Sequence, residues 1–162
     1  MQFKGFPAVI NFPSPGFAYG QHRRNLERNN YGVQQELKTL RTAKELGFYT
    51  FGLAYDEEIA MQIAADNHDA LVLGLAMLEW ENGGATLEQA AEYINRVSTK
   101  AKAVAPEVLI FVQGLPVQTP EDTQYIYDHT DAVGFIGINN MDYGTKPIQD
   151  TVAAFKSAKI RA

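Results

Sequence analysis

Apolar positions along the chain alternate between two spacings. Short apolar runs at Ala8–Phe12, Phe48–Leu53, Ala70–Leu75, Leu109–Val112 and Val133–Ile138 end in small or polar residues, and each is followed by a segment with helical spacing. Buried strands alternating with amphipathic helices predict βα units and a parallel sheet, because parallel strands need a helix-length crossover. Ligands of parallel α/β folds gather at the carboxyl ends of the strands. Those ends carry Asn11, Tyr55, Gly74, Gln113 and Asn139.

The intervening segments have readable starts and stops. Pro7 and Pro13 bracket the first strand, and Ser14-Pro15-Gly16 makes a turn. Helices are predicted over Gln21–Arg28 and Val33–Leu46, broken by Asn29-Asn30-Tyr31-Gly32. In the second, Val33, Leu37, Leu40, Ala43 and Leu46 keep helical spacing, and Gly47 supplies the C′ residue. Asp56-Glu57-Glu58 opens the next helix with acids at its positive end, and Ile59, Ala60, Ile63 and Ala64 form its buried face. The longest helix spans Leu87 to Val104, with Thr86 as N-cap. Thr119-Pro120-Glu121-Asp122 reads as N-cap, N1 proline and acidic first turn. A last helix occupies the segment from Pro147 to Ile160, with Val152, Phe155 and Ile160 inward.

Composition narrows the function classes. The 162 residues are 46% hydrophobic and 20% charged, which suits one α/β domain with a packed core over 1–162. A net charge of −5 argues against non-specific nucleic-acid binding, which needs a basic surface. The apolar runs are too short to cross a membrane, and no signal-peptide pattern opens the chain. Zero cysteines remove any disulfide, thiolate metal site or cysteine nucleophile, and the cytosol is the expected compartment. Five βα units fall short of the eight of a closed barrel, which takes about 250 residues. An open five-stranded doubly wound sheet fits the length, yet Pro13-Ser14-Pro15-Gly16 lacks the G-x-G-x-x-G spacing after the first strand. Periodicity leaves both architectures open.

Particular residues favour one of them. Gly5-Phe6 through Asn11-Phe12-Pro13, Gly20-Gln21-x-Arg23-x-Asn25-Leu26-Glu27, Gly32-x-x-x-Glu36 and Arg41-x-Ala43-x-Glu45-Leu46-Gly47 form one series. Gly83-Gly84, Gln113-Gly114-x-Pro116, His129-Thr130 and Gly134-Phe135-x-Gly137-x-x-x-Met141 continue it. The series resembles the phosphoenolpyruvate-hydrolase-like TIM-barrel family, which also forms the C-terminal barrel of a plant antiviral resistance protein. The resemblance implies a partial (β/α)8 barrel, the last five units of eight, with the first three strands elsewhere. Unpaired sheet edges are an association liability, so a homo-oligomer or a barrel-completing segment is the expected partner.

The resemblance also implies chemistry: a lyase or hydrolase acting on a small phospho- or carboxy-keto acid, with magnesium as cofactor. Several positions depart from the family pattern. Gly74-Leu75-Ala76 stands for His-Met-Gly, Leu78-Glu79-Trp80-Glu81-Asn82 for a segment with a threonine pair, and Gln113 for a histidine. Asn139-Asn140-Met141-Asp142-Tyr143 replaces Ser-Ser-Met-Glu-Arg, and Tyr19 an acid. These changes strip ionisable or hydroxyl groups that proton transfer needs. The alternative is therefore a non-catalytic ligand-binding or scaffolding domain within a larger assembly.

The candidate ligand-binding residues, for a small anionic metabolite, are Asn11, Gln21, Arg23, Gln113, Gly114, Gly137, Asn139 and Asn140. No catalytic residue is assigned. Arg23 and Arg24 can clamp a carboxylate or phosphate, or form a solvated helix face paired with Glu27 or Glu36. Asn11 either faces the barrel mouth or caps a turn. Asn139 and Asn140 suit the phosphate loop of the last two barrel strands, or an ordinary loop. Glu79 and Glu81 flank Trp80 and offer magnesium two carboxylates, but on an extended segment they would point to opposite sides, which disfavours a shared metal. Trp80 is expected at the mouth or against a partner. Of the histidines, only His22 falls near the expected mouth; His68 precedes a strand at the opposite end, and His129 closes a helix.

Overall fold

The structure, a computed structural model, describes residues 7–137 and 148–160, with Trp80 described by its backbone alone. Among these residues five strands, β1 (Ala8–Ile10), β2 (Tyr49–Ala54), β3 (Ala70–Gly74), β4 (Leu109–Gln113) and β5 (Gly134–Ile136), lie side by side in chain order. Among the described residues six α-helices accompany them: α1 (Gly20–Arg28), α2 (Val33–Glu45), α3 (Glu57–Ala65), α4 (Leu87–Val104), α5 (Pro120–His129) and α6 (Ile148–Lys156). A doubly wound sheet reverses its strand order at a switch point. Sequential order is that of a barrel, so the fold is a partial (β/α) barrel of five units. No described helix is long and apolar enough to cross a membrane.

The chain divides into two compact units, Met1–Val72 with Lys100–Val108, and Leu73–Thr99 with Leu109–Ala162. In the first, β1 and β2 pair in parallel with Val9 opposite Thr50, and the Tyr49 N–H donates to the Pro7 carbonyl to extend the ladder. Val33, Leu37 and Leu40 of α2 and Ile59, Ala60, Ile63 and Ala64 of α3 are buried, the predicted faces. α3 is started by Asp56, whose side chain accepts from the Ile59 N–H at 2.8 Å. Leu46 is 72% exposed rather than part of the buried stripe. α2 ends at Glu45 and the chain turns at Gly47, φ +84°, which swings Leu46 out of the helical register.

In the second unit β4 and β5 pair in parallel with Phe111 opposite Gly134. A Cβ on Gly134 would lie 2.2 Å from the Phe111 ring, so this strand pair closes only over a glycine. α4 opens with reciprocal bonds between Thr86 and Gln89, and α5 with the Thr119–Asp122 capping box and Pro120 in the first turn. β5 is shorter than the predicted Val133–Ile138, and Ile138 lies outside the described residues. α6 stops at Lys156, four residues before Ile160, which is 51% exposed instead of inward. Gln124 takes over there, bonding the Lys159 N–H and carbonyl.

At the amino end of β2 lies a buried polar cluster. Thr50 donates its hydroxyl to Asp69 at 2.8 Å and meets His68 Nδ1 at 3.0 Å. Since that hydroxyl proton goes to Asp69, His68 Nδ1 is the donor, and Nε2 keeps a buried lone pair without a partner among the described residues. His68 is thus structural, as its position in the sequence suggests. Burial holds its pKa below 6.5; Lys44 and Arg41 add to that effect, and Asp66 and Asp69 oppose it. Between the folded pKa and 6.5 the unfolded chain binds more protons than the folded one, so stability rises with pH. His68 therefore contributes fully above pH 6.5 and loses its contribution as the pH falls. Chemical denaturation from pH 7.5 to 5.5 should show this decline, flattened in His68→Asn; an equal decline in the variant refutes the assignment.

Candidate functional site

Some polar residues of the first motifs, Asn11, Arg23 and Glu36, come together at the carboxyl ends of β1 and β2. Asn11, one residue beyond β1 and 9% exposed, uses its amide as a further rung of the sheet. Its Oδ1 accepts from the Leu53 N–H at 2.6 Å, and its Nδ2 donates to the Leu53 carbonyl at 3.1 Å. The same Nδ2 donates to Glu36 Oε2 at 3.0 Å, which also receives the Ser14 hydroxyl at 2.7 Å. Ser14 in turn accepts from the Gly16 N–H, capping the short 3-10 turn Pro15–Phe17. Asn11 thus joins two strands and a helix.

Burial raises the Glu36 pKa above 4.5, against the lowering effect of the Ser14 and Asn11 bonds. Tyr55, at the end of β2, is raised above 10.0 by its own burial and by the nearby Glu36 charge. The turn packs closely on that ring: a Cβ on Gly16 would stand 3.2 Å from Tyr55 Cδ2.

Arg23 pairs with Asp56, Nη1 to Oδ2 at 2.7 Å, with both side chains about one-third exposed. The expected partners Glu27 and Glu36 are engaged elsewhere. Glu27 Oε1 accepts from the Val33 N–H at 2.8 Å and so caps α2, whose N-cap residue Gly32 has no side chain to do it. Its carboxylate lies where a Gly32 Cβ would be, 2.1 Å from the nearest atom. Gly32→Ala should expel that carboxylate and cost about 1–2 kcal/mol, the value of a lost cap plus crowding; urea unfolding measures it, and an unchanged midpoint refutes it. Gln21 is exposed and holds Asn25 and Arg24 on the same helix.

The second unit holds the other candidates. Gln113 ends β4, and its buried Oε1 has no partner among the described residues. Gly114, φ +91°, lets the chain pass against Ala76, where a Cβ would stand 3.3 Å away. Beside it a cavity of about 340 Å³ is lined by Leu75, Ala76, Leu78, Leu115, Pro116 and Gln118, with Gly83, Gly84 and Ala85. None of these side chains carries charge. Gly137 follows β5; Asn139 and Asn140 lie outside the described residues.

The Glu79–Asn82 segment is not extended. Glu79 has φ +50° and Trp80–Asn82 forms a 3-10 turn, with the Asn82 amide on Glu79 Oε2. His129 closes α5 as expected, with Nδ1 at 2.7 Å from the Tyr125 carbonyl and its ring stacked on Tyr125.

Magnesium needs oxygen ligands in octahedral array, commonly with one or two carboxylates. Asp56 has Oδ1 on the Ile59 N–H and Oδ2 on Arg23, and Glu36 Oε2 takes two donors. No group of three or more potential metal ligands occurs among the described residues. Sequence reasoning missed Ser14, Glu36 and Asp56 as members of the cluster. Glu36 stands in the quoted Gly32-x-x-x-Glu36 motif, but nothing local announces that its partner is 25 residues away at Asn11.

Three relatives share this stretch of chain. Two are tomato (Solanum lycopersicum) proteins, the ToMV susceptible protein tm-1(GCR26) and the ToMV resistance protein Tm-1(GCR237), each 26% identical over 155 residues and 93% of this chain. The third, 29% identical over 94% of this chain, is a candidate transcriptional regulatory protein, y4pA, of Sinorhizobium fredii. The chain spans 20% of the length of each tomato relative and 26% of the rhizobial one. The family model described as phosphoenolpyruvate hydrolase-like matches residues 1–158, and with nearly its whole length so covered, this chain belongs to that family.

Proposed function

We propose that this chain is a scaffolding or ligand-binding barrel domain of a larger assembly, rather than a lyase or hydrolase of phospho-keto acids. The observation that carries this reading is the commitment of the polar groups at the β1 and β2 ends. Asn11, Ser14, Glu36, Arg23 and Asp56 bond one another and the backbone. Acid–base catalysis requires a titratable group within reach of the proton it moves, and these groups fasten strand to helix instead. The β1 edge supports the assembly half of the reading. Ile10, Phe12 and Tyr49 are 37%, 46% and 44% exposed, and Val9, Ala43, Leu46 and Phe48 line a groove beside β1 and α2 together with Gln35, Lys38, Thr39 and Thr42. An exposed apolar edge of this kind pairs readily with another chain or segment. The names of the relatives, concerned with resistance and regulation, agree with this reading.

Two measurements test it. Incubation with phosphoenolpyruvate or phosphonopyruvate and magnesium should release no pyruvate above the buffer blank. Sedimentation should show self-association weakened by Ile10→Lys. Pyruvate release abolished by Glu36→Gln would restore the enzyme reading, and a monomer at every concentration would remove association of this chain with itself.

A further inference from the structure

The geometry points to a phosphate seat on α1, formed by Arg24 and Arg28 and fitted to a small molecule carrying two adjoining phosphate groups. The seat stands apart from the function proposed above and does not depend on it. α1 carries His22, Arg23, Arg24 and Arg28 against one acid, Glu27, in a chain whose net charge is −5. Gly20, Arg23, Arg24, Glu27 and Arg28 line an open cleft of about 420 Å³ along this helix.

Three features make the cleft selective for anions. Glu27, which also lines the cleft, turns Oε1 to the Val33 N–H and forms no ion pair with Arg24 or Arg28 among the described residues. Arg23 is spent on Asp56. Arg24 is exposed but oriented: Gln21 Oε1 accepts from its Nε at 3.1 Å and its Nη2 at 2.9 Å, and Asn25 holds Gln21 in turn at 2.8 Å. That arrangement leaves Nη1 pointing away from the Gln21 contact. Arg28, one turn on and exposed, has no ion-pair partner among the described residues.

Residues four apart lie on one helix face, separated by about 6 Å along the axis. Two guanidinium groups at that pitch match a ligand with two linked phosphoryl groups, Arg28 taking one with its free fork and Arg24 the other through Nη1, each bond charge-assisted. The amino end of the cleft is open at Gly20, where a Cβ would meet nothing within 4 Å. A single phosphate engages only one fork well, so the seat prefers the diphosphate.

Isothermal titration of the full chain with inorganic pyrophosphate and with orthophosphate, at low ionic strength, tests this. Pyrophosphate should bind about tenfold more tightly than orthophosphate, the value of one further charge-assisted contact. Arg24→Gln and Arg28→Gln should each weaken pyrophosphate by about tenfold, with unliganded melting unchanged because both side chains are exposed. Lys156→Gln, on α6, should leave binding as it is. Absence of binding to the parent chain overturns the proposal. So does pyrophosphate binding that survives removal of both arginines, or a loss in Lys156→Gln as large as in Arg28→Gln, which would mark diffuse charge attraction.

Discussion

Asn11→Ala should destabilise the fold by about 3 kcal/mol, more than any other single polar truncation at the strand ends. The side chain contributes three hydrogen bonds and is 9% exposed. Truncation leaves the Leu53 N–H and carbonyl without their partner in a residue only 1% exposed. Each buried backbone group deprived of its partner costs about 1–3 kcal/mol, against about 0.5–1.5 for a hydrogen bond that water can replace. Asn11→Asp is the sharper control. A carboxylate can still accept from the Leu53 N–H, but it faces the Leu53 carbonyl and Glu36 Oε2 with no proton to donate. Its loss should match or exceed that of alanine near neutral pH. Ser14→Ala, which removes one bond to the same Glu36 oxygen, should cost about 1 kcal/mol and combine non-additively with Asn11→Ala. Urea unfolding of the set decides the matter: a loss below 1 kcal/mol for Asn11→Ala would show that water reaches Leu53 and that the amide is no part of the sheet.

The same cluster explains what the chain reveals before it is folded and what it withholds. Strand and helix identity rest on local periodicity, and Ala70–Gly74, buried at every position, or the Thr119–Asp122 box can be read from neighbours alone. Termini are less legible. Leu46 fits the apolar period of α2, yet Gly47 turns the chain one residue too early for it to remain inward. At the other end of the chain, Ile160 has the right spacing for a buried face, but α6 has already stopped.

Partner choice between distant segments is the least legible of all. Arg23 has an acid four residues along its own helix, where helical spacing normally forms a pair. The N-cap at Gly32 lacks a side chain, however, and that vacancy competes successfully for Glu27. Arg23 then turns to Asp56, 33 residues away. The motif residues Asn11, Arg23, Glu27 and Glu36 thus fasten β1, α1, α2 and the end of β2 to one another in three dimensions. Barrel membership was visible in those residues because they maintain the fold. For the same reason they say little about chemistry.

Gly52→Ala is the second large effect expected, and here two opposing contributions must be compared. Gly52 lies within β2 with an ordinary extended backbone, where replacing glycine normally gains about 0.4–1 kcal/mol by restricting the unfolded chain. Against that, a Cβ would stand 2.5, 2.8 and 2.9 Å from three carbons of Ile63, so α3 rests directly on the glycine. Ile63 is fully buried, and relief requires either an off-rotamer side chain or a lifted helix, typically about 1–3 kcal/mol and occasionally more. Crowding wins, and the net loss should be about 2 kcal/mol. The sign can be reversed on purpose. Ile63→Ala is itself costly, but on that background the added methyl fills part of the cavity it would otherwise collide with, so Gly52→Ala should become neutral or stabilising. Equal losses on both backgrounds would mean that the penalty belongs to the strand backbone rather than to the seat of α3. Gly47→Ala separates the two causes from the other side: nothing lies within 4 Å of its Cβ, and its φ of +84° alone should cost about 1 kcal/mol.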